Sequence, residues 1–566
     1  MKEIITILLL PIFCFSQIGA DESIINNITI NETNLAGNAH ENDDLLTAVR
    51  VFYVATDGLS SNDGLTESSP LDIATAFDPN IVERGDLYWI KAGDYGNHNF
   101  DLTGIDPSST SLLPVRWIGY KNTIGDIVSQ PYAGYDSVDP LDPLVPILPS
   151  EFNALPSNVV GHKILDSSLM PTFTGDQSQA PNYIVNGDLF SIDGGGHNLI
   201  FKNFQVQFYK HGFFMSDLDY SLFENITLAH QGWFSEIEGQ GGTNEDLIGD
   251  GIVLRQASPL SSEYNIIKNC YGLNHAHTSF SISVSQYNLI KGTEGFSNLN
   301  SGNAQDYYFR ITGSFNKIED SRAVRGVASR HSGHGICFNF DATHNMAEDC
   351  FIYGTSFHFD ASAYGLAKNV TLRGEPSFAT FIENDPQGNN TLPFQGGNFL
   401  MLDSAHDNLI LGGSCHEVGG FSFNDTAAHG LPAHATEFTA GNNNTYRNVV
   451  VDVSQGKIIK SGNSNTSNGL QIHSNLWDSC TFVGSDDLFE IERLNSLNVI
   501  KNSTIENLPS LRAESNGFSL NSDTIFLNNT WINSQTAETD VLTNFSSNTL
   551  ESVTSSFKLD LIKFRF

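Results

Sequence analysis

Basic residues are scarce in this chain. Its 566 residues include 28 Lys and Arg against 64 Asp and Glu, a formal net charge of −36. A surface so negative repels nucleic acid and anionic membranes, which excludes both as partners. Charge of either sign is sparse at 16%, while the chain holds 39 Phe and 49 Gly; that balance favours strands and turns over helices. Long apolar runs are missing as well. The one near the N-terminus, in "MKEIITILLLPIFCFSQ", is about a dozen residues, too short to span a bilayer. It reads as a secretory signal over residues 1–17, which makes the mature protein extracellular or periplasmic with no membrane insertion. Residues 18–49 are polar and aperiodic and read as a linker.

What is abundant is a repeat. "YNIIKNC" (264–270), "YNLIKGT" (287–293), "FNKIEDS" (315–321), "HNMAEDC" (344–350), "SNLWDSC" (474–480) and "LNVIKNS" (497–503) share one pattern. An Asn is followed by two mostly apolar or long residues, a polar turn-former and a small residue. The anchors Asn265, Asn288, Asn316 and Asn345 are 23, 28 and 29 residues apart, and Asn475 and Asn498 are 23 apart. A second short alternating strand precedes most anchors, as in "FSISV" (280–284), "YFRIT" (308–312), "ICFNF" (336–340), "FHFDA" (357–361) and "FLMLD" (399–403). Repeats of this length with short strands and Asn/Gly/Asp turns predict an all-β chain, a right-handed parallel β-helix over residues 50–566. Stacked asparagines then satisfy one another's amides along the axis. A propeller blade needs a longer repeat.

The segment "VFYVATDGLSSNDG" (51–64), a short helix expected over about 71–83, and "GDLYWIKAGDYG" (85–96) lead into this array. With Gly85, Asp86, Ala92, Gly93 and Tyr95, and with "WIGYKNTIGDI" (117–127), this stretch resembles the start of secreted parallel β-helix carbohydrate-active enzymes. These form the superfamily of pectate-lyase-like fold that includes polysaccharide lyases and glycoside hydrolases. The resemblance implies the architecture and an N-terminal cap over about 51–100. It does not imply a reaction, since lyases, hydrolases and epimerases share this beginning.

Five cysteines remain once Cys14 leaves with the signal. In a secreted chain they suggest disulfides. However, Cys270, Cys350 and Cys480 each lie five residues after an anchor, where Thr293, Ser321 and Ser503 lie in other repeats. They read as inward packing residues.

Aligning the residues that lead into the second strand gives the column His211, Asp250, His277, Asp306, His334. In a parallel stack, such side chains lie about one strand spacing (~4.8 Å) apart. Alternating acid and imidazole suits proton transfer, although a self-satisfied turn ladder has the same composition. Between residues 307 and 330 lie Arg310, Lys317, Arg322, Arg325 and Arg330. A basic patch on so acidic a chain points to an anionic ligand, and guanidinium groups suit carboxylate and sulfate. Tyr308 and His358 are expected on the same groove as Arg310. Trp233 is expected on an overhanging loop (230–250) that stacks on sugars. His230, His275 and Arg325 fall in similar register.

These residues predict a depolymerase of an anionic polysaccharide, sulfated or uronate-bearing, with hydrolysis favoured narrowly over β-elimination. In hydrolysis Asp306 and Asp250 form the acid–base pair, assisted by His277 and His334. Arg310, Arg325, Arg330, Tyr308, His358, Trp233 and His211 then contact substrate. In β-elimination on a uronate, a base (His277, His334 or a lysine) takes the C5 proton, Arg310 or Arg325 neutralises the carboxylate, and Tyr308 donates to the leaving oxygen. A metal site of Asp250, His277, Asp306 and His334, or a non-catalytic polysaccharide-binding β-helix, are the alternatives. No cofactor is required. The resemblance allows Ca2+, yet no compact Asp-rich calcium loop is present in the sequence. A monomer is expected. If the reaction is hydrolysis, Asp306→Asn is expected to abolish turnover and leave the fold intact, as measured by polymer cleavage and circular dichroism.

Overall fold

Each coil follows from where the backbone is allowed to bend. After Asn265 comes a short strand, Ile266–Lys268, then Asn269 at φ 52°, Cys270, a second strand Tyr271–Leu273, and Asn274 at φ 50°. Asn enters the left-handed region more readily than most residues because its short polar side chain bonds locally. Gly292 and Asp320 occupy the same corner of the next two coils. The corners keep the strands short and return the chain beside itself. Successive coils therefore pair in parallel, Ile266 with Leu289 and Leu289 with Lys317, Tyr271 with Glu294 and Glu294 with Arg322.

The computed structural model describes residues 48–105, 113–129, 165–233, 249–257, 261–297, 305, 307–326, 334–374, 397–402, 405–418, 420–424, 441–455, 458–461, 474–484, 489–490, 498–508, 524–534, 545–546 and 549–551. The chain is a parallel β-helix. The expected signal peptide (1–17) and all but the last two residues of the expected linker (18–49) lie outside the described residues, as do Asp306 and Arg330. Among the described residues no helix is long and apolar enough to cross a membrane. Two units are built from these coils. One takes in the described residues up to Cys337 together with Glu348–Tyr353; the other takes Phe338–Ala347 and those from Gly354 onward.

In the first unit one wall carries the candidate site. Its strands are β1 (Asp188–Ile192), β2 (His211–Ser216), β3 (Asp250–Arg255), β4 (Thr278–Ser283), β5 (Tyr307–Ile311) and β6 (His334–Phe338), all within this unit except Phe338. Phe190, Phe213, Ile252, Phe280 and Phe309 stand in register and are fully buried, forming one column of the core. The strands begin one or two residues earlier than their alternation suggests. The helix expected over about 71–83 is a single turn, Ile73–Ala76, capped by the Asp72 side chain. Beside it Trp117 Nε1 donates to Ala76 O at 2.8 Å and the indole stacks on Phe77, which closes the apolar interior near the first coils.

The anchor asparagines form the expected ladder. Asn265 Nδ2 donates to Asn288 Oδ1 at 3.0 Å, and Asn288 Nδ2 to Asn316 Oδ1 at 3.1 Å. The backbone N–H of each also donates to the next amide oxygen, as Asn288 does to Asn316 at 2.9 Å. In the second unit the same chain of amides runs Asn408, Asn444, Asn475, Asn498 at 3.1, 3.2 and 3.3 Å. Five residues on, the small-residue column is present: Cys270 N donates to Thr293 Oγ1 and Thr293 N to Ser321 Oγ. The five described cysteines are buried, and none is in a disulfide. Burial pushes Cys270, Cys350 and Cys480 up to about 12, so they stay inert thiols.

A second row was not evident from composition. Tyr220, Tyr264, Tyr287 and Phe315 all have φ between 51° and 58°, a region costly for bulky residues. Their rings stack at 5.1, 5.2 and 5.3 Å, and Tyr264, Tyr287 and Phe315 rest on Ile200, Leu222, Ile266 and Leu289. Stacking and burial offset the strain. Asn288→Ala removes one rung of the amide ladder and leaves buried neighbours unsatisfied. It is expected to lower stability by about 1–3 kcal/mol, read from the denaturant midpoint.

Candidate active site

Register places Asp188, His211, Asp250, Thr278 and Tyr307 opposite one another at the starts of β1–β5. His277 therefore stands one residue before the column in which it was expected. Its side chain still reaches Asp250: His277 Nδ1 donates to Asp250 Oδ1 at 2.8 Å. Thr278 N also donates to that oxygen at 2.9 Å, and Thr278 Oγ1 lies 3.0 Å from His277 Nδ1. On the other side His211 Nδ1 donates to Asp188 Oδ1 at 2.7 Å, while its Nε2 stands 3.7 Å from Asp250 Oδ2. A carboxylate only accepts, so both imidazoles carry their proton on Nδ1 when neutral.

Burial pushes Asp250 up, but His277, His211 and Arg310 outweigh it and hold the carboxyl below its ordinary value. It is a carboxylate at neutral pH. Asp250 thus orients His277 and turns Nε2 of that ring away from the pair. Beyond it, the Tyr307 ring meets His277 edge-on at 5.5 Å and stacks on His334 at 4.3 Å. Arg310 places its guanidinium 5.0 Å from the Tyr307 ring centroid.

The open groove expected here is closed at its centre. Asp250 and His277 are 5% and 2% exposed. Exposed area lies at the margins, at Lys210, Phe214, Arg255 and His334. Four expected substrate contacts are buried away from solvent. Tyr308 points into the coil interior, packed over Gly295, and its hydroxyl is 2.5 Å from Ser297 Oγ. The reason is local: the pairing links 278 with 307 and 280 with 309 and skips 308, so the outward positions are Tyr307 and Arg310. Arg325, paired with Ser297, is also fully buried. Burial lowers it to about 10, and it remains a cation. His211 is wholly buried between Asp188 and Asp250 and holds the carboxylates rather than meeting solvent. His358 belongs to the second unit, is 1% exposed and pairs with Leu400.

Trp233 is half-buried and bridges Asn182 through the backbone. Asp306 and Arg330 lie outside the described residues, as does most of the 230–250 loop. His275, on the inner side, is driven down to about 3 by burial and by His230, and is neutral at any working pH. Among the described residues no group of three or more His, Cys, Asp and Glu side chains is arranged to hold a metal ion. Sequence reasoning missed Asp188, Lys210, Phe214, Arg255, Thr278 and Tyr307. Asp188 was legible in principle, since "DLFSI" aligns with "HGFFM" one coil earlier.

No known protein family matches the chain, and no curated protein matches it. Among solved structures it is similar to a mannuronic acid-specific polysaccharide family 6 lyase from human gut microbiota, 10% identical over 89% of this chain and 91% of that one, TM-score 0.41. It is also similar to DFA-IIIase from Arthrobacter chlorophenolicus A6, 13% identical over 84% of this chain and 90% of that one, TM-score 0.33. A third is the catalytic domain of a GH87 α-1,3-glucanase, 12% identical over 90% of this chain and 69% of that one, TM-score 0.34. At such identities and TM-scores the likeness transfers no residue role and no reaction to this chain.

Removing the buried carboxylate altogether should disturb every group around it. Asp250→Ala is expected to destabilise the protein by about 3–5 kcal/mol. Asp250→Asn keeps an acceptor for Thr278 N and should lose clearly less. Denaturant unfolding of the two variants checks this, and equal losses would contradict it.

Proposed function

We propose that this chain is a secreted enzyme that cleaves an anionic polysaccharide, with His277 as general base oriented by Asp250, and that the cleavage is β-elimination on a uronate unit. One observation carries the choice of reaction. Asp250 is committed to its neighbours: Oδ1 accepts from His277 and Thr278, and Oδ2 faces His211. That leaves it poorly placed to activate water itself, as a hydrolytic carboxylate must. The proton acceptor is then the imidazole, and a lone imidazole base suits abstraction of an acidic carbon-bound proton.

In this reading His277 Nε2 takes the C5 proton of the uronate. The electron pair forms the C4=C5 double bond, and the glycosidic oxygen leaves C4 with a proton from Tyr307, which takes the role first given to Tyr308. Arg310 neutralises the sugar carboxylate and so favours the carbanionic charge that develops. Burial of the dyad keeps these interactions strong, because little water screens them. Hydrolysis is the second reading, supported by the ionised state of Asp250; there His277 activates water and Asp306 protonates the leaving oxygen.

His277→Ala is expected to lower turnover about 10²–10⁴-fold on the cognate polymer. Products with the ultraviolet absorbance of a new C=C bond indicate elimination; new reducing ends without it indicate hydrolysis. Wild-type turnover in the variant, or binding with no cleavage by the native chain, would contradict the assignment.

A further inference from the structure

Lys210, Phe214 and Arg255 form a cluster at the exposed margin of the site that the mechanism does not use. Phe214 lies on the outward face of β2, three residues after His211, and its ring stacks on that imidazole at 4.8 Å and 20°. The Arg255 guanidinium stands over the same ring at 5.0 Å from its centroid, and Lys210 Nζ at 5.9 Å. Both cations are tied to the strand that carries the dyad. Arg255 ends β3, which Asp250 begins, and Lys210 O accepts the Asp250 N–H at 3.2 Å.

Several cations elsewhere on the coils are matched to carboxylates, as in Lys202–Glu224 at 2.7 Å, Lys291–Glu319 at 2.9 Å and Lys317–Glu348 at 2.7 Å. Lys210 and Arg255 form no ion pair among the described residues, in a chain with more than twice as many acidic as basic groups. Asp217, the acid whose charge Arg255 favours, is buried and its Oδ1 is taken by Ala257 N at 2.8 Å. Holding two solvent-accessible cations over one ring, with no carboxylate among the described residues paired to either, leaves a preformed seat for an anion from outside.

We propose that Lys210 and Arg255, fixed by the Phe214 ring, form a subsite for one carboxylate or sulfate group of the polymer, displaced along the coil axis from the bond that is cut. This rests on the reading of the chain as acting on an anionic polysaccharide. Arg310 and Tyr307 lie on the β5 side of the dyad, and Lys210, Phe214 and Arg255 on the β2–β3 side. A polymer running along the axis therefore meets positive charge before and after the reacting unit. The subsite sets which charge pattern is accepted and adds affinity without touching the reacting atoms.

The test is direct binding by the full chain to three polymers: a polyuronate, a sulfated polymer without uronate, and an uncharged one. The double variant Lys210→Ala/Arg255→Ala is expected to bind the preferred anionic polymer at least about tenfold more weakly (~1.4 kcal/mol). Its binding should also depend less on salt, with no change toward the uncharged polymer. The charge-conserving variant Lys210→Arg/Arg255→Lys should stay within about threefold of wild type, and its unfolding midpoint checks the fold. Whichever anionic polymer shows the loss identifies the group recognised. Wild-type affinity and salt dependence in the alanine variant would overturn the subsite even if His277→Ala abolishes turnover. Conversely, loss of affinity with no turnover by the native chain would retain the subsite and discard the reaction.

Discussion

In-register stacking of coils is the constraint from which the rest follows. A parallel pair fixes which residue of one coil faces which residue of the next, and a slip of one residue turns every side chain to the other face. Here the register is held from inside. Each anchor Asn both donates to and accepts from its neighbours, through side chain and backbone, in a setting where an unmet amide is costly. Left-handed corners at Asn269, Gly292 and Asp320 then set where each coil turns. With those two devices in place, residues more than twenty positions apart in sequence become neighbours, and Asp250 comes to face His277 across one strand spacing.

That neighbourhood changes what the ionisable groups do. A carboxylate alone in the wall would be pushed toward its neutral form, whereas Asp250 is surrounded by His211, His277 and Arg310 and stays charged. The contrast with Glu294 is instructive. It pairs with Arg322 in an equally buried place, yet burial raises it to about 7. Two imidazoles and a guanidinium outweigh burial at Asp250, and one guanidinium does not at Glu294. The dyad is thus a product of the cluster around it, not of either residue alone.

Much of the fold was legible because the repeat is written in chemistry. The Asn anchors, the small residue five positions later and the turn-formers between them all occupy the places expected. The capping helix was overestimated because an apolar stretch after Asp72 continues past the point where the chain leaves the helical conformation at Phe77. The aromatic row at Tyr220, Tyr264, Tyr287 and Phe315 went unread because propensity argues against bulky residues at left-handed corners. Only the stack of coils explains why they are tolerated there.

The site was legible in part. Alignment of coil starts singled out His211, Asp250 and His277, all of which meet in the structure. It failed where the backbone departs from strict alternation: the skipped pairing at 308 sends Tyr308 inward and brings Tyr307 out. Arg325 was assigned from the basic cluster and its register with His230 and His275, and proved to be fully buried. The account's central claim is that Asp250 holds the His277 imidazole with its proton on Nδ1. Nitrogen-15 NMR of the histidine side chains, with His277→Ala for assignment, reads this tautomer directly. The account predicts that neutral His277 is protonated at Nδ1 and bare at Nε2. A His277 signal with the proton on Nε2 would contradict it.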